Sequence, residues 1–192
     1  PDQEMIVGDL MDETTLADAV KGCDAVYNFV AIADLDKALH IPVETVRVNV
    51  LGNVLVLEGC RKAGVQRYIY ASTVYVYSRD GGFYRCSKQA CEVYIETYQE
   101  NYGLEYTILR YGSLYGPRAD EENAIYRYIL QALKDKRIHY LGREDALREY
   151  IHVEDAALSS LEMLKTEYAN QNVILTGHQP MKVSNVLKMI TE

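Results

Sequence analysis

The stretch YASTVYVYSRDGGFYRCSK, residues 70–88, starts as a strand and ends as a helix. Its apolar and hydroxyl residues run into the turn Arg79-Asp80-Gly81-Gly82, after which Tyr84 and Lys88 stand four apart. A strand ending in Ser72-Thr73 presents hydroxyls at the edge of a sheet, and positions i and i+4 of the following helix share one face. A phenol with a pKa near 10 is a poor base at neutral pH, but a neighbouring ammonium favours the phenolate. Tyr84 then becomes a usable acid/base, with Lys88 as the charge beside it and Thr73 hydrogen-bonding the same substrate oxygen. Such a triad moves a proton on a hydroxyl while a hydride leaves or returns at its carbon. Alone, the Tyr-x-x-x-Lys spacing is a weak signal, because 17 tyrosines produce it by chance and an exposed helical pair is the plain alternative.

Outward from this stretch, residues 4–8, 24–31, 66–73, 105–112 and 172–177 read as strands buried on both faces. Between them, residues 12–22, 43–64 and 83–103 show helical periodicity and close at Gly22, Gly64 and Gly103. The alternation predicts an α/β fold with a Rossmann-like, doubly wound parallel sheet and right-handed crossovers. After Gly116-Pro117-Arg118 the rhythm changes: a helix-like stretch over 123–137 leads into short extended pieces over 138–155, and a last helix begins at about Ser184. These read as a small substrate-binding portion covering the carboxyl ends of the strands, where open α/β sheets bind ligands.

A dinucleotide-binding sheet begins with a strand, a Gly-rich turn and a helix whose N-terminus faces the phosphates. No G-x-G-x-x-G or G-x-x-G-x-x-G occurs here, so the expectation is a chain incomplete at both ends, with the first βαβ unit missing, and the alternative is a complete protein of another α/β type. Residues 1–113 are expected to form an incomplete NAD(P)-binding domain whose last strand returns at about 172–177. Residues 114–171 and 178–192 are expected to form mainly the substrate-binding portion and connecting helices.

With 20 basic against 28 acidic residues the net charge is -8, which gives no general footprint for nucleic acid or an anionic membrane. No apolar run reaches the ~18 residues of a membrane span, and the expected location is the cytoplasm. Cys23, Cys60, Cys86 and Cys91 lie scattered without a C-x-x-C pair or clustered His, so buried free thiols are expected and no metal site. Asn49, in a helix rich in Val and Leu, would be a buried polar group needing a partner. Asp34 and Asp36 read as solvated loop residues, His152 as a core histidine, and Arg148 as either a phosphate fork or half of a surface ion pair.

Read in order, the motifs resemble the extended short-chain dehydrogenase/reductase family, and within it the sugar-nucleotide epimerases and dehydratases. GDL at 8–10 is similar to the turn that contacts adenine, which gives that role to Asp9 and Leu10. VYNFVAIA at 26–33 stands where the family's strand end lies against the cofactor, so Phe29, Val30 and Ala31 inherit that contact. VNVLGN at 48–53 resembles the segment with the active-site Asn, here Asn49. YASTVYVYS makes Thr73 the catalytic hydroxyl and Ser72 its cofactor-side neighbour, and YRCSK supplies Tyr84 and Lys88 to both catalysis and cofactor. LRYGSLYGPR at 109–118 adds Tyr111 to the cofactor set and Ser113 and Arg118 to the substrate set. REYIHVED at 148–155 gives Arg148 to the diphosphate of the sugar nucleotide.

The resemblance implies NAD as cofactor, with NADP not excluded, a nucleotide-sugar substrate and a homodimer formed through the helices carrying Tyr84 and Asn49. It implies transient oxidation at sugar C4 to a keto intermediate, followed by hydride return. Three departures bear on this. Gly112-Ser113 replaces the family's Asn, only eleven positions separate Thr73 from Tyr84, and Val74-Tyr75 follow Thr73 where dehydratases carry an acidic pair. The last argues for epimerisation, or simple oxidation and reduction, over dehydration. A net reductase or dehydrogenase, a dehydratase, and a non-catalytic nucleotide-sensing protein of the same fold remain as alternatives.

Overall fold

The computed structural model describes residues 3–192; Pro1 and Asp2, the start of the expected first domain, lie outside the described residues. The chain forms two compact units, one of Pro1–Arg110 with Met163–Val173 and one of Tyr111–Glu162 with Ile174–Glu192.

In the first unit α1 (Glu13–Val20) leads into β1 (Ala25–Asn28), then α2 (Leu35–His40) and a short α3 (Pro42–Thr45). A π-helical segment over Val46–Leu51 continues into α4 (Gly52–Ala63), followed by β2 (Arg67–Thr73). A 3-10 turn over Val74–Tyr77 precedes α5 (Gly82–Tyr102) and β3 (Glu105–Tyr111). The second unit holds β4 (Ser113–Tyr115), α6 (Ala124–Asp135), β5 (Leu147–Arg148), β6 (Tyr150–His152) and α7 (Val153–Glu162). The chain returns through β7 (Gln171–Leu175) and closes with β8 (Met181–Lys182) and α8 (Val183–Thr191).

The main sheet has the order β1-β2-β3-β7 and is flanked by helices; β1 and β2 run parallel, with Ala25 opposite Arg67 and Asn28 opposite Tyr70. This is the expected α/β class. β2 is buried along nearly its whole length, as a run of apolar residues without alternation requires of a strand covered on both faces. Leu57, Cys60, Tyr68, Cys91, Ile95 and Ile108 form the centre of the core between the sheet and helices α4 and α5. Helices α4 and α5 end at Gly64 and Gly103, both left-handed, as their sequence endings predicted. In the second unit β4 pairs parallel with β6, and β5 pairs antiparallel with β8. A Cβ on Gly112 would strike the Glu149 carbonyl, so glycine at this position permits the close approach of the two segments.

Several expectations are corrected. Residues 4–8 form no strand, and Met5 and Val7 are each 87% exposed. A strand is stabilised by its ladder, and among the described residues none pairs with this segment. The strand expected over 24–31 stops at Asn28, because the Asn28 side chain accepts from Val30 N (3.1 Å) and turns the chain. Asp34 is not merely solvated: it caps α2, accepting from Lys37 N at 2.7 Å. Of the four thiols, Cys60 and Cys91 are buried, Cys23 is half-buried and Cys86 is exposed, and all are free. Among the described residues there is no cluster fit to hold a metal, and no helix long and apolar enough to cross a membrane.

Candidate active site

The carboxyl end of β2 and the first turns of α5 meet as the sequence spacing anticipated. Gly81 and Gly82 both adopt positive φ (93° and 48°), which lets the chain reverse sharply from the 3-10 turn into α5. Tyr84, Lys88 and Glu92 then fall at i, i+4 and i+8 on one face of that helix. The Thr73 hydroxyl accepts from Tyr75 N (3.2 Å) and is near enough to the Tyr84 phenol to favour its ionised form. Phenol and strand-end hydroxyl are thus neighbours across β2 and α5, where a substrate oxygen could contact both.

Lys88 is only 2% exposed, and its ammonium donates to the Ala71 carbonyl at 2.6 Å and lies 4.5 Å over the Tyr70 ring. Its distance to the Tyr84 ring centre is 5.7 Å. Burial pushes the Tyr84 phenol up to about 12, with the Thr73 hydrogen bond working against it. Burial also pushes the Lys88 ammonium down to about 8, opposed by Cys91 and Glu92. The direction for Tyr84 is opposite to the sequence expectation. The lysine head is drawn to a backbone carbonyl and an aromatic face, and desolvation of the phenolate outweighs what a charge at that distance returns.

Ser72 is buried, and its hydroxyl donates to Glu92 Oε1 at 2.5 Å. The same carboxylate receives Arg110 through Nε (3.1 Å) and Nη2 (2.6 Å), and Arg110 also donates to the Tyr77 hydroxyl while stacking 4.8 Å over its ring. Glu92 and Arg110 were not singled out from the sequence. The signal available for Glu92 was its place one turn beyond Lys88 on the same face; nothing local marked Arg110.

Asn49, expected to be catalytic, is 2% exposed and its amide is committed inside the protein. Nδ2 donates to Ile32 O (3.1 Å) and Ser87 Oγ (2.9 Å), and Oδ1 accepts from Ile32 N (2.7 Å). The side chain therefore clamps the loop after β1 and reaches Tyr84 only through Ser87, which donates to the Tyr84 carbonyl at 2.8 Å. The π-helical widening over Val46–Leu51 turns the Asn49 carbonyl to the Cys91 thiol, which donates to it at 3.1 Å.

Among the expected cofactor residues, Phe29 is 60% and Val30 49% exposed at the end of β1, with Phe29 stacked on Tyr27 at 5.9 Å and Ala31 half-buried beside them. Asp9 is exposed in a turn and accepts from Met11 N (2.9 Å), whereas the Leu10 side chain packs inward against Gly52. Tyr111 is buried in the second unit with its hydroxyl 2.5 Å from Ser160 Oγ. Also in that unit, Ser113 N donates to Glu149 O (2.6 Å), Arg118 is exposed at positive φ (66°), and half-buried Arg148 donates to Leu147 O (3.0 Å). His152 packs edge-on against Tyr115 (5.3 Å) and accepts from Glu154 N (3.3 Å) at the start of α7.

The fold is a doubly wound α/β fold in which Thr73, Tyr84 and Lys88 gather at the carboxyl end of β2. The profile of the NAD dependent epimerase/dehydratase family matches residues 1–176, and the chain belongs to that family. A UDP-glucuronate 4-epimerase of Thermodesulfobacterium geofontis is 25% identical over 182 residues, which cover 86% of this chain and 55% of that protein. The UDP-glucose 4-epimerase of Thermus thermophilus, solved with NAD, aligns with TM-score 0.84 and 27% identity over 95% of this chain and 66% of its own. The dTDP-glucose 4,6-dehydratase DesIV of Streptomyces venezuelae, also solved with NAD, aligns with TM-score 0.87 and 26% identity over 95% of this chain and 61% of its own. The chain spans about half the length of the curated relatives it matches.

Proposed function

We propose that the chain is the core of an NAD-dependent epimerase that acts on a nucleotide-activated sugar, oxidising C4 to a keto intermediate and returning the hydride to the other face. The observation that carries this reading is the gathering of Thr73 at the carboxyl end of β2 with Tyr84 and Lys88, one turn apart on one face of α5, with the Lys88 ammonium 5.7 Å from the Tyr84 ring centre. In its ionised form, Tyr84 Oη accepts the proton of the C4 hydroxyl and becomes the neutral phenol, and Thr73 Oγ1 hydrogen-bonds the same oxygen and fixes its direction. A phenol held at about 12 keeps its proton at neutral pH, which suits it to return a proton to the keto oxygen. Its action as a base needs positive charge nearby, and Lys88 is the cation on its helix face.

NAD would supply the hydride acceptor and donor when bound. The residues present suit part of such a molecule: Phe29 and Val30 form an exposed apolar shelf at the end of β1, and Asp9 is open in its turn at the expected adenine end. Arg148 of the second unit is assigned to the substrate diphosphate on motif grounds, and Ser113 and Arg118 to the substrate. Epimerisation is favoured over dehydration because Val74 and Tyr75 follow Thr73, so no carboxylate stands there to protonate a leaving hydroxyl. Exposed Leu39, Val43 and Val46, with Val93 and Tyr94 on α5, support a homodimer through this part of the first unit.

The test is to incubate the full-length protein with NAD and a panel of UDP- and dTDP-sugars. The expected outcome is a C4 epimer without net absorbance of reduced cofactor. Stoichiometric reduced cofactor would mark a dehydrogenase, and a 4-keto-6-deoxy product a dehydratase; either would overturn the epimerase reading.

A further inference from the structure

Glu92 and Arg110 form a paired carboxylate and guanidinium at the end of the main sheet, with side chains 9% and 13% exposed. A pair removed from water in this way is not explained by stability, since apolar residues of similar volume often hold a fold as well or better. What the pair does is join elements. Its carboxylate, on α5, receives Ser72 from the end of β2 and the two-pronged guanidinium from β3. Through the same guanidinium it reaches Tyr77 at the close of the 3-10 turn. Ser72 immediately precedes Thr73, and Glu92 lies on the face of α5 that carries Lys88 and Tyr84. Hydroxyl and phenol therefore belong to two elements cross-tied by one carboxylate. A bidentate fork fixes direction as well as distance, which a point charge or an apolar contact does not.

We propose that Glu92 and Arg110 are positioning residues that hold the end of β2 against α5, so that the Thr73 hydroxyl and the Tyr84 phenol meet in one geometry. This rests on the catalytic reading given above. Neither residue touches the reacting atoms, and the Ser72 hydroxyl is the link that transmits their position to Thr73.

The experiment compares the full-length wild type with the double variant Glu92→Leu/Arg110→Met, which removes both charges together and leaves no orphan. Two quantities are read: kcat and KM for the sugar nucleotide, and the 19F resonance of Tyr84 in protein labelled with 3-fluorotyrosine, assigned by its loss in Tyr84→Phe. The proposal expects a melting temperature equal to or above that of the wild type and KM within threefold. It also expects kcat lowered at least tenfold and a Tyr84 resonance broadened or split. A double variant with kcat within twofold of wild type and an unchanged resonance overturns it. If the double variant does not fold, Ser72→Ala decides: a fall in kcat of threefold or more supports the proposal, and no fall overturns it. Should the wild type turn over no sugar nucleotide, the catalytic reading fails by itself, and the Tyr84 resonance in whichever variant folds still decides whether the pair positions the phenol.

Discussion

At the carboxyl end of β2, Ser72 and Thr73 are buried and both hydroxyls have protein partners, whereas at the carboxyl end of β1 Phe29 and Val30 stand 60% and 49% exposed. The first end is set by directional contacts from α5 and β3. The second is an apolar shelf whose loop is clamped from below, through the Asn49 amide on the Ile32 backbone. Hydrogen-bonded groups hold their geometry before a ligand arrives, while exposed apolar area gains its free energy when something covers it. On the proposed reading, the β2 end carries the chemistry and the β1 end the binding.

Substitutions that separate turnover from affinity test that division. The largest effect is expected from Tyr84→Phe, which keeps the ring and loses the proton carrier: kcat falls by about 1000-fold while the Kd for NAD stays within threefold, measured by steady-state kinetics and calorimetry. A matching loss of NAD affinity would erase the distinction between the two ends. Asn49→Leu acts one layer below, where three hydrogen bonds of a buried amide disappear and the Ile32 backbone is left unpaired. Denaturant unfolding should show a loss of about 2–4 kcal/mol.

A smaller effect is expected at the shelf. Phe29→Ala removes apolar area that a bound cofactor would cover, and the Kd for NAD should rise about tenfold with kcat at saturation within twofold. An unchanged Kd would detach the shelf from cofactor binding and leave its exposure unexplained.

The smallest effect sharpens the electrostatics of the β2 end. Lys88 is pushed down to about 8 in the folded chain and returns to the ordinary lysine value on unfolding. Between pH 8 and 10 the unfolded state therefore binds more protons than the native one, so this group makes stability rise with pH across that window. Lys88→Met should remove that rise, read as the change in urea midpoint between pH 8 and pH 10. Tyr84, held at about 12, acts in the opposite sense above pH 10, where the unfolded phenol ionises and the native one does not, so stability falls there.

Much of the fold was legible along the chain. The strands at 67–73 and 105–111 and the glycine-closed helices α4 and α5 stand within a residue or two of their sequence readings at those ends. Their signals are local: continuous apolar runs, i and i+4 repeats, and glycine where φ must turn positive. Residues 4–8 carry the same apolar signal as β2 and yet form no strand, because a ladder depends on a neighbour and not on the segment itself.

The site divides in the same way. Spacing alone put Tyr84 and Lys88 on one face and set Thr73 at a strand end, since helix and strand periods are properties of the backbone. Only the tertiary structure decided that Lys88 turns to Ala71 and Tyr70, that burial raises the Tyr84 phenol, and that Asn49 clamps a loop. It alone brought Arg110, 18 positions away, onto the Glu92 carboxylate. Partners distant in sequence and the loss of water around a charge both arise when separate elements close on one another, and no local pattern of residues encodes either.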